Sequence, residues 1–221
     1  MVFSVEVLVK AHNKDFLEIN RYHLHMADIL KSKETLDVNI SNYIELSKFL
    51  SISGPDLILP YAQMVLKCLS RGGKVLWCGN GGSAAESQHM AAELMGRFNF
   101  DRSPIPSIAL TTDSSFLTGV SNDLDFREIF ARQVAGIGKT DDLLVAISTS
   151  GNSENVYLGA VEAKKKGMST VGLLGSGGGK IANLVDFAIV VDSDKTPRIQ
   201  EVHTFINHCM CELVERNIHE T

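Results

Sequence analysis

The chain has 221 residues with 44% hydrophobic and 21% charged side chains, an ordinary globular composition that argues against intrinsic disorder. At this length folding buries about 70% of the chain's surface, so a large core forms without disulfide or metal staples. The net charge of −5 argues against a nucleic-acid partner, and the short apolar runs exclude a membrane span.

The opening stretch MVFSVEVLVK has neither a basic start nor a small-residue cleavage site, so no signal peptide is expected. Residues 1–27 mix polar and apolar side chains without a stripe and read as a partly ordered extension. Residues 28–221 read as a single domain. From Lys33 to Phe49 the apolar spacing is helical, and Pro55 is expected to break the helix. A second helix is predicted from Ile58 to Ser70, stopped by Arg71-Gly72-Gly73.

Beyond this point apolar strands alternate with helices. Lys74–Cys78, Ser107–Leu110, Asp142–Ile147, Thr170–Leu174 and Phe187–Val191 are the predicted strands. Helices are predicted over Ser83–Arg97, from Ser153 to Lys166, and over Pro197–Arg216 with proline in the first turn. This alternation predicts an α/β three-layer sandwich with a parallel, mainly five-stranded sheet. Ligands of such sheets bind beyond the carboxyl ends of the strands, where Gly79–Ser83, Thr111–Asp113 and Ser148–Ser153 would lie. Cys68, Cys78, Cys209 and Cys211 form no CxxC pair and sit among apolar residues, as reduced, mostly buried thiols of a cytosolic protein do.

Four segments carry possible chemistry. Ser148-Thr149-Ser150-Gly151-Asn152-Ser153 joins a buried strand to a helix, so hydroxyls and backbone N–H groups converge as a phosphate site does; the plainer reading is a serine-rich N-cap. Gly79-Asn80-Gly81-Gly82-Ser83 fits neither a dinucleotide fingerprint nor a Walker loop, and reads equally as a tight turn or a ligand loop. His89 and Glu93 share a helix face, as metal ligands, acid/base groups or a plain surface pair. Helical spacing does not decide which of Gln200, Glu201, His203, Asn207 and His208 faces a site.

Taken together these segments resemble a known family. Cys78 to Ala85, Gln88-His89, Glu93, Gly96-Arg97, Asn122-Asp123, Ser148 to Ser153, Gly178-Gly179-Lys180 and Arg198-Ile199-Gln200-Glu201 with His203 match, in order, the phosphoheptose isomerases, single-domain members of the SIS (sugar isomerase) class. The resemblance runs from about residue 28 to the C-terminus. It implies an aldose-ketose isomerase that converts sedoheptulose 7-phosphate into D-glycero-D-manno-heptose 7-phosphate through an enediol. The product would feed heptose precursors of lipopolysaccharide core or surface glycans. The resemblance further implies a cytoplasmic homotetramer with sites between subunits, and neither a nucleic-acid nor a membrane partner.

It also implies one Zn2+ per subunit on His89, Glu93, Gln200 and His208. Substrate contacts fall on Asn80, Gly81, Gly82, Glu93, Asn122, Asp123, Ser148, Thr149, Ser150, Ser153 and Gln200, with Glu93 as base and His208 as acid partner. A carboxylate bound to zinc is a weaker base, so the two implied roles of Glu93 compete. A related branch, a non-enzymatic SIS protein that binds the DnaA replication initiator, is the alternative. That branch lacks the acidic residue and the histidine that stand here at Glu93 and His208.

Overall fold

The computed structural model describes residues 26–219, with side chains described from 31 to 218. The expected extension over residues 1–27 lies outside the described residues except for its last two positions. The chain divides into two compact units, Met1–Asn42 and Tyr43–Thr221. In the first, helical spacing brings Lys33 to Asp37, four residues on, at 2.8 Å.

The second unit holds the sheet. Its strands are β1 (Val75–Gly79), β2 (Ser107–Ala109), β3 (Leu143–Ser148), β4 (Ser169–Gly175) and β5 (Phe187–Val191). Their order is β2-β1-β3-β4-β5 and every neighbouring pair is parallel. Each observed strand lies within a residue or so of its predicted place, because buried parallel strands read as short apolar runs.

Successive side chains of a strand point to opposite faces, which divides the core in two. Val75, Trp77, Val145, Ile147 and Leu173 face one layer, packed by Met90 and Leu94 and by Val202, Ile206 and Met210. Leu76, Cys78, Leu144, Ala146 and Leu174 face the other, packed by Phe130, Val134, Val156 and Ala160. The helices supplying these side chains are α2 (Gly82–Met95), α4 (Ile129–Ile137), α5 (Glu154–Lys165) and α7 (Thr196–His219). Helices α3 (Ser114–Asp123) and α6 (Gly179–Ala182) complete the layers.

The structure corrects one expectation. Helix α1 (Met26–Ser70) is not broken at Pro55, and both Pro55 and Pro60 lie inside it. An interior proline costs about 3 kcal/mol through a lost hydrogen bond and a clash with the preceding turn. The next three turns bury Ile58, Tyr61, Ala62 and Val65 in the core. Each large side chain there gains about 1.5–3 kcal/mol, so burial outweighs the proline penalty.

The four cysteines are free, and Cys68, Cys78 and Cys211 are buried. Burial pushes the Cys78 and Cys211 thiols up to about 12 and Cys68 to about 11, so none of the three is a reactive thiolate at neutral pH.

Candidate active site

The site lies at the carboxyl edge of the sheet, where β1, β3 and β4 end. Strand β1 runs into the glycine loop at Gly79, and α2 starts at Gly82. Gly81 has φ +56, a conformation that favours glycine. A Cβ on Gly82 would lie 2.4 Å from Nε2 of Gln200, so the absent side chain is what lets Gln200 of α7 lie against the loop. The Asn80 amide is held by Asn155 in a reciprocal pair, with Nδ2-to-Oδ1 distances of 2.8 and 2.9 Å. That pair fastens the glycine loop to the start of α5.

A cavity of about 430 Å³ opens between α2 and α7. Gly82, Ser83, Glu86 and His89 line it from α2, and Gln200, His203 and Thr204 from α7. Its volume suits a small-molecule ligand.

At the mouth, His89 Nε2 lies 3.1 Å from Glu93 Oε1 and 3.4 Å from His208 Nε2. One ligand atom from each of the three residues falls within 4.8 Å of the others. The His208 ring meets the His89 ring edge-on, with centroids 5.0 Å apart, and stacks on Phe98 at 5.7 Å. Glu215 holds the Phe98 turn in place. It accepts the backbone N–H groups of Phe98, Asn99 and Phe100 at 3.0, 2.6 and 3.1 Å, and Arg102 Nε at 2.9 Å. Burial alone would raise the Glu215 carboxyl, but these donors outweigh it and hold the group below its ordinary value.

The serine loop forms the opposite side of the strand ends. Ser148 Oγ lies 2.9 Å from Ser153 Oγ and 3.5 Å from Ser150 Oγ. Ser153 occupies the N-cap position of α5, yet its side chain makes no cap hydrogen bond. The hydroxyls therefore gather on one another rather than on the helix, which sets aside the plain N-cap reading. The loop is braced by the second glycine cluster. Gly151 accepts the Ile181 N–H at 3.1 Å, and Asn152 Oδ1 accepts the Lys180 N–H at 3.1 Å. Its close approach depends on glycine, since a Cβ on Gly151 would lie 2.1 Å from the Gly178 carbonyl.

The structure thus gathers Gly82, His89, Glu93, Gln200 and His208 around the space between α2 and α7. It places Ser148, Thr149, Ser150 and Ser153 together at the end of β3. Asn122 and Asp123 stand at the exposed end of α3, bonded to each other at 2.8 Å, and do not line the cavity.

Sequence reasoning missed Glu86. It accepts Thr204 Oγ1 at 2.7 Å and Asn207 Nδ2 at 2.9 Å, while the buried Tyr61 hydroxyl donates to Asn207 Oδ1 at 3.0 Å. The available signal was its spacing, three residues before His89 and seven before Glu93, which puts all three on one face of α2.

The sequence profile of the SIS domain matches residues 42–175, more than half of the chain. The phosphoheptose isomerase of Clostridium acetobutylicum is 44% identical over 188 residues, covering 84% of this chain and 96% of that one. Among solved structures, the phosphoheptose isomerase of Neisseria gonorrhoeae superposes with a TM-score of 0.79 at 37% identity, covering 83% of this chain and 98% of that one. That of Francisella tularensis gives 0.78 at 38% identity, covering 86% and 100%. These relatives lend no support to the alternative of a DnaA-binding protein. A parallel SIS sheet, with the α2 and α7 side chains converging at its carboxyl edge, agrees with such extensive identity: the chain belongs to the phosphoheptose isomerase family of SIS-domain proteins.

Proposed function

We propose that this chain interconverts sedoheptulose 7-phosphate and D-glycero-D-manno-heptose 7-phosphate, an aldose-ketose isomerisation through an enediol. The observation that carries this reading is the meeting of Glu93 on α2 with His208 on α7, across His89, at the mouth of a sugar-sized cavity. The reaction moves a proton between adjacent carbons. Glu93 takes the proton from C1 of the ketose and returns it to C2, while His208 supplies and accepts protons at the neighbouring oxygens. The serine loop, with Ser148, Thr149, Ser150 and Ser153, anchors the phosphate. Fixing that remote group holds the reacting carbons at the carboxylate. Asn80, Gly81 and Gly82 border the sugar, and Asn122 and Asp123 keep the substrate-contact role that the family resemblance implies although they stand outside the lining of this cavity.

The donor set suits zinc. Two imidazole nitrogens and a carboxylate oxygen are ordinary zinc ligands, and a tetrahedral site with zinc–nitrogen bonds of about 2.0–2.1 Å has edges of about 3.3 Å. The 3.4 Å between His89 and His208 nitrogens and the 3.1 Å between His89 and Glu93 are close to that edge. His89, Glu93 and His208 would hold the ion, with Gln200 from the cavity wall as fourth ligand. Bound there, zinc supplies Lewis-acid polarisation of the sugar's carbonyl and hydroxyl oxygens.

The working enzyme is read as a cytoplasmic homotetramer, built of one SIS domain over residues 28–221 and feeding heptose precursor synthesis for lipopolysaccharide core or surface glycans. Exposed apolar residues support association: Leu59 and Phe205 are each 48% exposed beside a groove of about 510 Å³. Three buried, weakly acidic thiols fit a reducing compartment. Among the described residues no helix is long and apolar enough to cross a membrane.

The test is direct. Incubation with sedoheptulose 7-phosphate and zinc in deuterated buffer should yield the aldose, with deuterium at C2 by NMR. Absence of conversion overturns the reading.

A further inference from the structure

His203 is 1% exposed and lines the cavity. Its Nε2 lies 3.1 Å from the Leu174 carbonyl oxygen at the end of β4. A carbonyl can only accept, so Nε2 carries the ring proton and Nδ1 is a bare lone pair. Burial, opposed by that carbonyl, pushes the ring's pKa down to about 4, which keeps it neutral at pH 7. Nδ1 has no hydrogen-bond partner among the described residues. Several polar side chains around α7 are already paired. The Thr204 hydroxyl and the Asn207 amide donate to Glu86, and the Tyr61 hydroxyl donates to Asn207.

A buried acceptor left without a donor is costly, and His203 is one of the residues that line the cavity. A phosphate offers lone pairs and would repel Nδ1, whereas a sugar hydroxyl offers a hydrogen. We propose that His203 is a substrate-contact residue whose Nδ1 accepts a hydrogen bond from a hydroxyl of the sugar in the α2–α7 cavity. The contact selects hydroxylated sugars over deoxy analogues, because a site built to pair a hydroxyl is left unsatisfied without it. The inference deepens the isomerase reading and rests on it.

Two substitutions separate this role from a structural one. In His203→Gln the side-chain amide can keep the bond to the Leu174 carbonyl but offers no acceptor in place of Nδ1. In His203→Asn the amide oxygen stands near the position of Nδ1 while the bond to Leu174 is lost. His203→Gln should raise KM for sedoheptulose 7-phosphate about tenfold, with His203→Asn closer to wild type. Wild type acting on the monodeoxy analogue that lacks the paired hydroxyl should fall to the His203→Gln level. The reverse ranking, with His203→Asn the worse, overturns the proposal in favour of simple anchoring to β4.

A second measurement needs no variant. In the full-length protein labelled with 15N-histidine, the His203 Nδ1 resonance should move on addition of sedoheptulose 7-phosphate. A resonance that stays put at saturating sugar phosphate overturns the contact. Failure of the wild type to turn over substrate overturns the isomerase reading by itself, and the Nδ1 shift then still decides the contact.

Discussion

A Cβ at residue 82 would overlap the end of the Gln200 side chain at 2.4 Å, and that flexible end can move aside. Gly82→Ala should therefore leave the melting temperature nearly unchanged and lower kcat/KM by roughly 10- to 100-fold, through displacement of a site residue by about 1 Å. Unchanged kinetics would remove Gln200 from the site. Glu93→Gln keeps size and polarity but removes the carboxylate proposed as base. It should reduce turnover by about 10²- to 10⁴-fold while sugar-phosphate binding persists, as measured by calorimetry. Near wild-type turnover would remove Glu93 from that role. At this scale the sequence was legible where chemistry is local: His89 and Glu93 share one helix, and the serines follow one another. It was silent on Gln200, His203 and His208, because packing between α2 and α7, rather than spacing, decides which side of α7 meets the cavity.

Elements act on the site through their braces. Gly151 sits at φ +64, and a Cβ there would lie 2.1 Å from the Gly178 carbonyl, which is backbone and cannot step aside. Gly151→Ala should cost about 1–3 kcal/mol in urea denaturation and raise KM for the phosphate substrate by loosening the serine loop. An unchanged KM would uncouple the brace from phosphate binding. Glu215 braces the other end, by holding the turn whose Phe98 stacks on His208. Its depressed carboxyl adds stability in full above its ordinary value of 4.5, and the gain is lost as pH falls through the lower folded value. The strands were readable because each is a short apolar run closed by a glycine, an aspartate or a hydroxyl residue: Gly79, Thr111, Ser148, Gly175 and Asp192. Helices α3 and α4 went unread, since Ser114–Asp123 is rich in serine, glycine and asparagine and is started by the Asp113 side chain, which accepts the Phe116 N–H at 2.9 Å. The continuity of α1 through Pro55 was unreadable for a related reason, because burial of Ile58 and Tyr61 outweighs the local rule.

The molecule as a whole is acidic, with a net charge of −5, and so is its substrate. Local N–H groups, hydroxyls and the histidine cluster therefore work against the mean field, and added salt should weaken substrate binding less than it would at a basic site. Acid should weaken the fold in two windows. His203 titrates near 6.5 when unfolded and near 4 when folded, so the unfolded chain binds the extra proton between those values. Stability is full above pH 6.5 and declines by on the order of 3 kcal/mol toward pH 4. Urea midpoints at pH 7 and pH 4.5 should differ more for wild type than for His203→Gln, and equal differences would exclude His203 as the cause. Below that, the Glu215 contribution is lost in its turn.

The sheet has a consequence for how the chain reaches this state. All its neighbouring strands are parallel, so no pair can form through a tight turn, and the central pair joins Val75 to Leu143 across nearly seventy residues. Chain entropy must be surrendered before that contact returns anything, which places folding in the slow range of milliseconds to seconds. While β1 waits for β3, its run Val75-Leu76-Trp77-Cys78 has no partner on that side, and a newly made chain is open to association with its neighbours during that interval. Yield on refolding should therefore fall as protein concentration rises, even though the finished sheet is buried on both faces.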